Sequence, residues 1–109
     1  MSFAKTPAPP YYAVIFTSKR TEIEEKEYGI TADQMVTLAS KQQGFLSVES
    51  ARDEQGIGIT VSYWSSLDAI KQWKRNAEHQ MAQKKGKGDW YESFITRISK
   101  VEKDYSFTR

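Results

Sequence analysis

The chain has 109 residues, 39% of them hydrophobic and 13% aromatic, which suits a single domain built on one core. Sixteen basic residues against 14 acidic ones leave a net charge of +2, too even a balance for a nucleic-acid-binding surface. With no cysteine, a disulfide framework, thiolate catalysis and cysteine-ligated zinc or iron–sulfur chemistry are excluded.

No apolar run approaches the ~18 residues needed to cross a bilayer, and the opening MSFAKTPAPPYY has no apolar core of signal-peptide length. A soluble cytoplasmic protein without membrane contact is the expectation. Residues 1–10 read as an extended arm, stiffened by Pro7, Pro9 and Pro10, ahead of one domain over 11–109. Tyr11 to Thr17 (YYAVIFT) is rich in β-branched and aromatic types and reads as a strand. From Ser18 to Tyr28 the chain is strongly charged with little apolar face, so it reads as a surface loop, long enough to be a candidate lid.

Thr31 with Gln34 has the pattern of a capping box, and Met35, Leu38 and Ala39 form the stripe of an amphipathic helix that Gly44 ends. Phe45 to Ala51 reads as a strand, Arg52 to Gly56 as a turn and Ile57 to Trp64 as the next strand. On that strand Ile57, Ile59, Val61 and Tyr63 share one face, and Gly58, Thr60, Ser62 and Trp64 the other. Ser65 with Asp68 is placed to cap a second helix with Leu67, Ile70 and Ala77 on one stripe and Trp73 at its edge. Asn76 offers a break that re-caps the helix at Ala77. A last strand runs from Tyr91 to about Val101 and continues towards Tyr105 and Phe107.

The order strand, helix, strand, strand, helix, strand is that of an α+β ferredoxin-like βαββαβ fold, an antiparallel sheet with both helices on one face. The other face then needs a cover, and a second copy of the chain is the simplest, which predicts a homodimer.

All three tryptophans and the single histidine fall within 27 positions, from Trp64 to Trp90. Trp64 suits either a core or interface position, or a wall that stacks on a planar ligand. Trp73, at helical spacing from Ile70 and Ala77, reads as core or as part of the same wall. His79 is the natural proton carrier by its pKa near neutrality. In an unbroken helix, however, it lies about 180° from Ile70, on the water side. A metal site is not expected, because one histidine without a converging carboxylate pattern is too few ligands. Trp90 and Tyr91 come after KKGKGD as aromatic anchors of a lysine–glycine loop, or as a plug at the end of the sheet. Tyr28, Tyr63 and Tyr91 each offer a phenol to a substrate oxygen. Lys71, Lys74, Arg75, Lys84, Lys85 and Lys87 form either a solvated surface or an anion-attracting rim.

The segments QQGFLSVES (42–50), GITVSYWSSLDAIKQWK (58–74), EHQMAQ (78–83) and WYESF (90–94) resemble the antibiotic biosynthesis monooxygenase family over roughly residues 11–105. The resemblance implies a dimeric α/β barrel in which two sheets pack together and the segment from Tyr91 to Phe107 reaches across to the partner. It also implies small oxygenases that act on aromatic polyketides with O₂ and without metal, flavin or haem, beside relatives that degrade haem. The haem branch uses an asparagine on the first strand, a tryptophan ending the third and a histidine late in the second helix. Trp64 matches the tryptophan, YYAVIFT has no asparagine, and the iron-ligand position falls near Gln83, one turn beyond His79. The expectation is a cofactor-independent monooxygenase of an aromatic or quinone-like small molecule. His79 and Trp64 would be catalytic, and Trp64, Trp73, Tyr28, Trp90 and Tyr91 would hold the substrate. The alternative is a non-catalytic, stress-associated binding protein that uses the same cavity.

Overall fold

Tyr11–Arg20 forms strand β1, three residues longer than its apolar run, in a computed structural model that describes residues 3–23, 25–84 and 90–109 and their side chains apart from 80–84. The extension corrects the reading of a loop from Ser18 to Tyr28. Ser18 and Arg20 keep the strand's alternation and turn inward, both buried, while Lys19 turns outward. Helix α1 then starts at Glu25 and runs to Ser40, with Glu25 and Glu27 complementing the positive end of its dipole. Thr31 is therefore a buried residue inside the helix rather than its cap. The inward stripe is Tyr28, Thr31, Ala32, Met35, Leu38 and Ala39, the 3.6-residue period of an amphipathic helix.

After α1 the chain turns through Gly44, whose φ of +89° suits glycine. A side chain there would also meet Ala69 Cβ at 2.6 Å, so the glycine lets this turn lie against the start of the second helix. Strand β2 (Phe45–Arg52) and strand β3 (Ile57–Trp64) form a hairpin, followed by helix α2 (Leu67–Lys84) and strand β4 (Tyr91–Val101). Ser66 caps α2 instead of Ser65, accepting the Ala69 N–H at 3.1 Å. Asn76 does not break the helix. Its side-chain amide donates to Gln42 Oε1 at 3.1 Å and to the Gln72 carbonyl at 3.4 Å, and the helix runs on. Leu67 is 56% exposed, so the inward stripe is Ala69, Ile70, Trp73 and Ala77.

The four strands are antiparallel in the order β2-β3-β1-β4, which gives the ferredoxin-like α+β fold. The helices pack on one face only. The register puts Tyr12, Val14, Phe16, Ser18 and Arg20 of β1 on that face with Trp64, Ser62, Thr60 and Gly58 of β3 and Ile98, Thr96 and Phe94 of β4. Its core is Ala39, Trp64 and Ile70, flanked by Tyr12, Val14, Phe45, Ala69 and Trp73. The opposite, bare face presents Ile57, Ile59 and Ile95 at 43%, 47% and 46% exposure. None of the described helices is long and apolar enough to cross a membrane.

Candidate functional site

The expected site residues separate into three places. Trp64 is fully buried, with its indole N–H donating to Ser62 Oγ at 2.9 Å. Trp73 stacks on it at 6.0 Å between ring centroids with planes 23° apart, and Phe45 meets it edge-on at 5.4 Å. Trp64 thus has no surface of its own to offer a ligand, and Trp73, half-buried, is the exposed partner of the stack. His79 lies on the exposed side of α2, nine positions from buried Ile70, so the uninterrupted helix turns it away from the face that holds Trp64. The lysine–glycine loop over 85–89 and the side chain of Gln83 lie outside the described residues.

The third place brings Tyr28, Trp90 and Tyr91 together at the far end of the same face. Tyr28 meets Trp90 and Tyr91 edge-on, each at 5.7 Å, and the Tyr91 hydroxyl donates to the Tyr28 hydroxyl at 3.2 Å. Phe16 extends the cluster, at 5.5 Å from Tyr91 and 5.3 Å from Phe94. Residues 60 or more positions apart meet here because β1 and β4 are neighbours, with Arg20 opposite Tyr91 and Ser18 opposite Phe94.

Two arginines complete this end, and neither stands out in the sequence, where one lies in the expected loop and the other in the turn. The Arg20 guanidinium lies over the Tyr28 ring at 3.7 Å from its centroid and donates to the carbonyls of Thr21 at 2.8 Å and Trp90 at 3.0 Å. The Arg52 guanidinium donates to Ser18 Oγ at 3.1 Å, to the Tyr28 hydroxyl at 3.2 Å and to the Gly56 carbonyl. It rests on Gly58, where a Cβ would meet its Cζ at 2.7 Å. Burial, then the hydrogen bond with Tyr28, pushes the Tyr91 phenol upward, against the pull of Arg52 and Arg20. Tyr91 therefore stays protonated, a donor at any ordinary pH. The strand alternation Tyr12, Val14, Phe16, Ser18, Arg20 is the sequence signal for Arg20, masked by the charged run from Arg20 to Glu27.

The bare face has a polar cluster of its own. A concave region of about 1040 Å³ lies between the arm (Phe3 to Ala8), the tail around Tyr105 and the sheet residues Ile59, Val61 and Tyr63. Glu49 ties it together, accepting the Ala4 N–H at 2.9 Å and the Tyr63 hydroxyl at 2.7 Å, and these two bonds, the first more than the second, hold its carboxyl below the usual range. Burial, aided by Glu49, pushes the Tyr63 phenol up to about 12. Tyr11 donates to Asp104 Oδ2 at 2.5 Å and accepts from Thr6 Oγ1 at 3.1 Å. Tyr63, expected among the substrate-facing phenols, thus stands on the opposite face from Tyr28 and Tyr91.

Known proteins resemble this chain at the level of both sequence and fold. The uncharacterized protein YqjZ of Bacillus subtilis (strain 168) is 54% identical over 104 residues, covering 95% of this chain and 90% of its own length. The crystal structure of SO0527 from Shewanella oneidensis superposes with a TM-score of 0.70 at 10% identity, over 84% of this chain and 91% of that one. PA3566 from Pseudomonas aeruginosa gives 0.67 at 13% identity, over 91% and 99%. At such identities these two structures speak for the fold alone. The family model for antibiotic biosynthesis monooxygenases matches residues 11–85, well over half of the chain and the whole stretch from β1 through α2, and to that family this protein belongs.

Proposed function

We propose that this protein is a cofactor-independent monooxygenase that oxidises an aromatic or quinone-like small molecule, as a cytoplasmic homodimer. The observation that carries the reading is the strip of aromatic side chains on the helix-bearing face. Tyr91, Phe16 and Phe94 pack ring against ring there, and Phe94 and Ile98 beside them are 43% and 51% exposed. A planar ring has a matching surface along this strip, and the phenols of Tyr28 and Tyr91 can orient its oxygens. Of the two kinds of proton carrier that the sequence offers, histidine and tyrosine, the tyrosines stand at this site.

In the reaction proposed, the substrate supplies the electrons. An electron-rich phenol, held ionised, passes two electrons to O₂ to give a carbon-bound hydroperoxide, and loss of water from that hydroperoxide takes two more electrons from the same carbon. One oxygen atom replaces the two hydrogens of a ring CH₂ as a carbonyl, and the other leaves with those hydrogens as water. Oxygen uptake with an anthrone and quinol panel in chelator-treated buffer tests this. Equimolar O₂ consumption with carbonyl formation is expected, and a panel without turnover would overturn it.

A second reading, ligand binding without conversion, draws support from the raised Tyr91 phenol, which donates a proton bond but does not accept a proton from a substrate. It predicts thermal stabilisation by a ligand that is recovered unchanged. The dimer is proposed from the bare face, where exposed Ile57, Ile59 and Ile95 sit near a tail bearing Tyr105 and Phe107 at 99% and 86% exposure. Light scattering should return twice the chain mass, and Ile59→Asp should return the single mass.

A further inference from the structure

We infer that the end of the helix-bearing face framed by Arg20, Arg52, Tyr28 and Tyr91 is an oxyanion subsite for a planar aromatic ligand that carries an ionised oxygen. Two guanidiniums converge there on a single phenol ring, one at 3.7 Å and the other at 5.8 Å from its centroid. Among the described residues the ion pairs are Lys19 with Glu92 and Lys74 with Glu78, so neither arginine is matched there by a carboxylate. Arg20 is only 9% exposed, and a charge that far from water is costly unless an opposite charge or hydrogen bonds answer it. Its bonds to the carbonyls of Thr21 and Trp90 both leave from one terminal nitrogen. Arg52 leaves the cluster open to solvent, being itself exposed.

The hydroxyl bookkeeping points the same way. Tyr28 accepts from both Arg52 and Tyr91, which occupies both acceptor positions of its oxygen. Its own O–H is then free to donate, and among the described residues no acceptor receives it. The subsite therefore presents a phenol donor and a guanidinium side by side, the pairing that recognises a negatively charged oxygen. The strip of Phe16, Phe94 and Ile98 on the same face, apolar and partly exposed, starts at the Tyr91 ring and leads away from this polar end. An inorganic anion would use only the polar end, whereas an aromatic phenolate or carboxylate fills both. The inference rests on the proposed function for its aromatic ligand and adds the residues that hold the charge of that ligand.

Binding measured without turnover tests it. Titration of the full chain, followed by tryptophan fluorescence, would compare 4-nitrophenolate and benzoate with uncharged nitrobenzene in alkaline buffer, and use inorganic phosphate as a competitor. Both aromatic anions should bind about tenfold more tightly than nitrobenzene, as expected of a charge-assisted hydrogen bond. Arg52→Gln should bring the three ligands to similar affinity, Arg52→Lys should restore part of the preference, and Tyr28→Phe should weaken the anions several-fold. Equal binding of nitrobenzene and 4-nitrophenolate by the unaltered protein would overturn the inference without recourse to any variant. So would an anion affinity untouched by Arg52→Gln in a variant that still melts cooperatively, or displacement by phosphate at the same concentration as the aromatic anions. A protein that binds these anions but takes up no O₂ would sink the monooxygenase and keep the subsite, and the converse result would do the opposite.

Discussion

Each face of the sheet carries a pair of tyrosines, and the two pairs have opposite company. On the helix-bearing face Tyr28 and Tyr91 touch hydroxyl to hydroxyl beneath Arg20 and Arg52. On the bare face Tyr11 and Tyr63 meet edge-on at 5.7 Å, with their hydroxyls bonded to Asp104 and Glu49. The same side chain is thus set to two tasks by its neighbours. Beside guanidiniums a phenol is a donor held ready for an anion from outside. Beside carboxylates its proton is already taken, and the bond ties the two termini of the chain onto the sheet. Burial alone does not set the role, since it is the leading cause of the raised phenol for Tyr63 and Tyr91 alike.

This contrast can be broken or sharpened by experiment. The largest effect should come from Trp64→Ala, which empties the centre of the helix-side core at a cost of about 3–5 kcal/mol and lowers the melting temperature by more than about 10 °C. A variant that melts normally but loses ligand binding would instead make Trp64 a ligand wall. Next, Tyr63→Phe on the bare face should cost about 1 kcal/mol, measured by denaturant titration, and leave aromatic-anion binding on the other face unchanged. Loss of that binding would mean that the two faces are coupled.

A smaller effect should come from pH. The folded Glu49 carboxyl lies below its ordinary 4.5, so its contribution is complete above that value and is lost as pH falls through the lowered one. Limited proteolysis should find the arm around Ala4 protected at neutral pH and cut more readily below that range, while the Tyr28 end keeps its fluorescence. The smallest change should come from His79→Ala, within about 0.5 kcal/mol of the unaltered protein, with oxygen uptake retained. A large drop in turnover would bring His79 back as the proton carrier.

Much of the molecule is legible in its sequence. The order of elements, the β2–β3 hairpin and the division of β3 into an Ile57–Ile59–Val61–Tyr63 face and a Trp64 face all come from a two-residue period, which one strand carries by itself. Trp64, Trp73, Tyr28, Trp90 and Tyr91 stand out in the sequence, and the fold gathers them on one face in two groups. The start of α1 is not legible. Its first turns are charged, and their inward residues, Tyr28 and Thr31, do not form an apolar stripe that a sequence reveals. Nor are Arg20 and Arg52, whose places depend on which strand lies beside which.

The sequence by itself determined the fold class and the residues rich in aromatic surface, which rest on local periodicity and composition, and the family, which rests on the likeness of whole segments to that family. Only the tertiary structure decided which tyrosine meets an arginine and which a carboxylate. That choice is made by the β2-β3-β1-β4 strand order and its register, which bring Arg20 opposite Tyr91 and Glu49 within reach of Tyr63. Charge acts over a few ångströms of space, and distance along the chain does not record it.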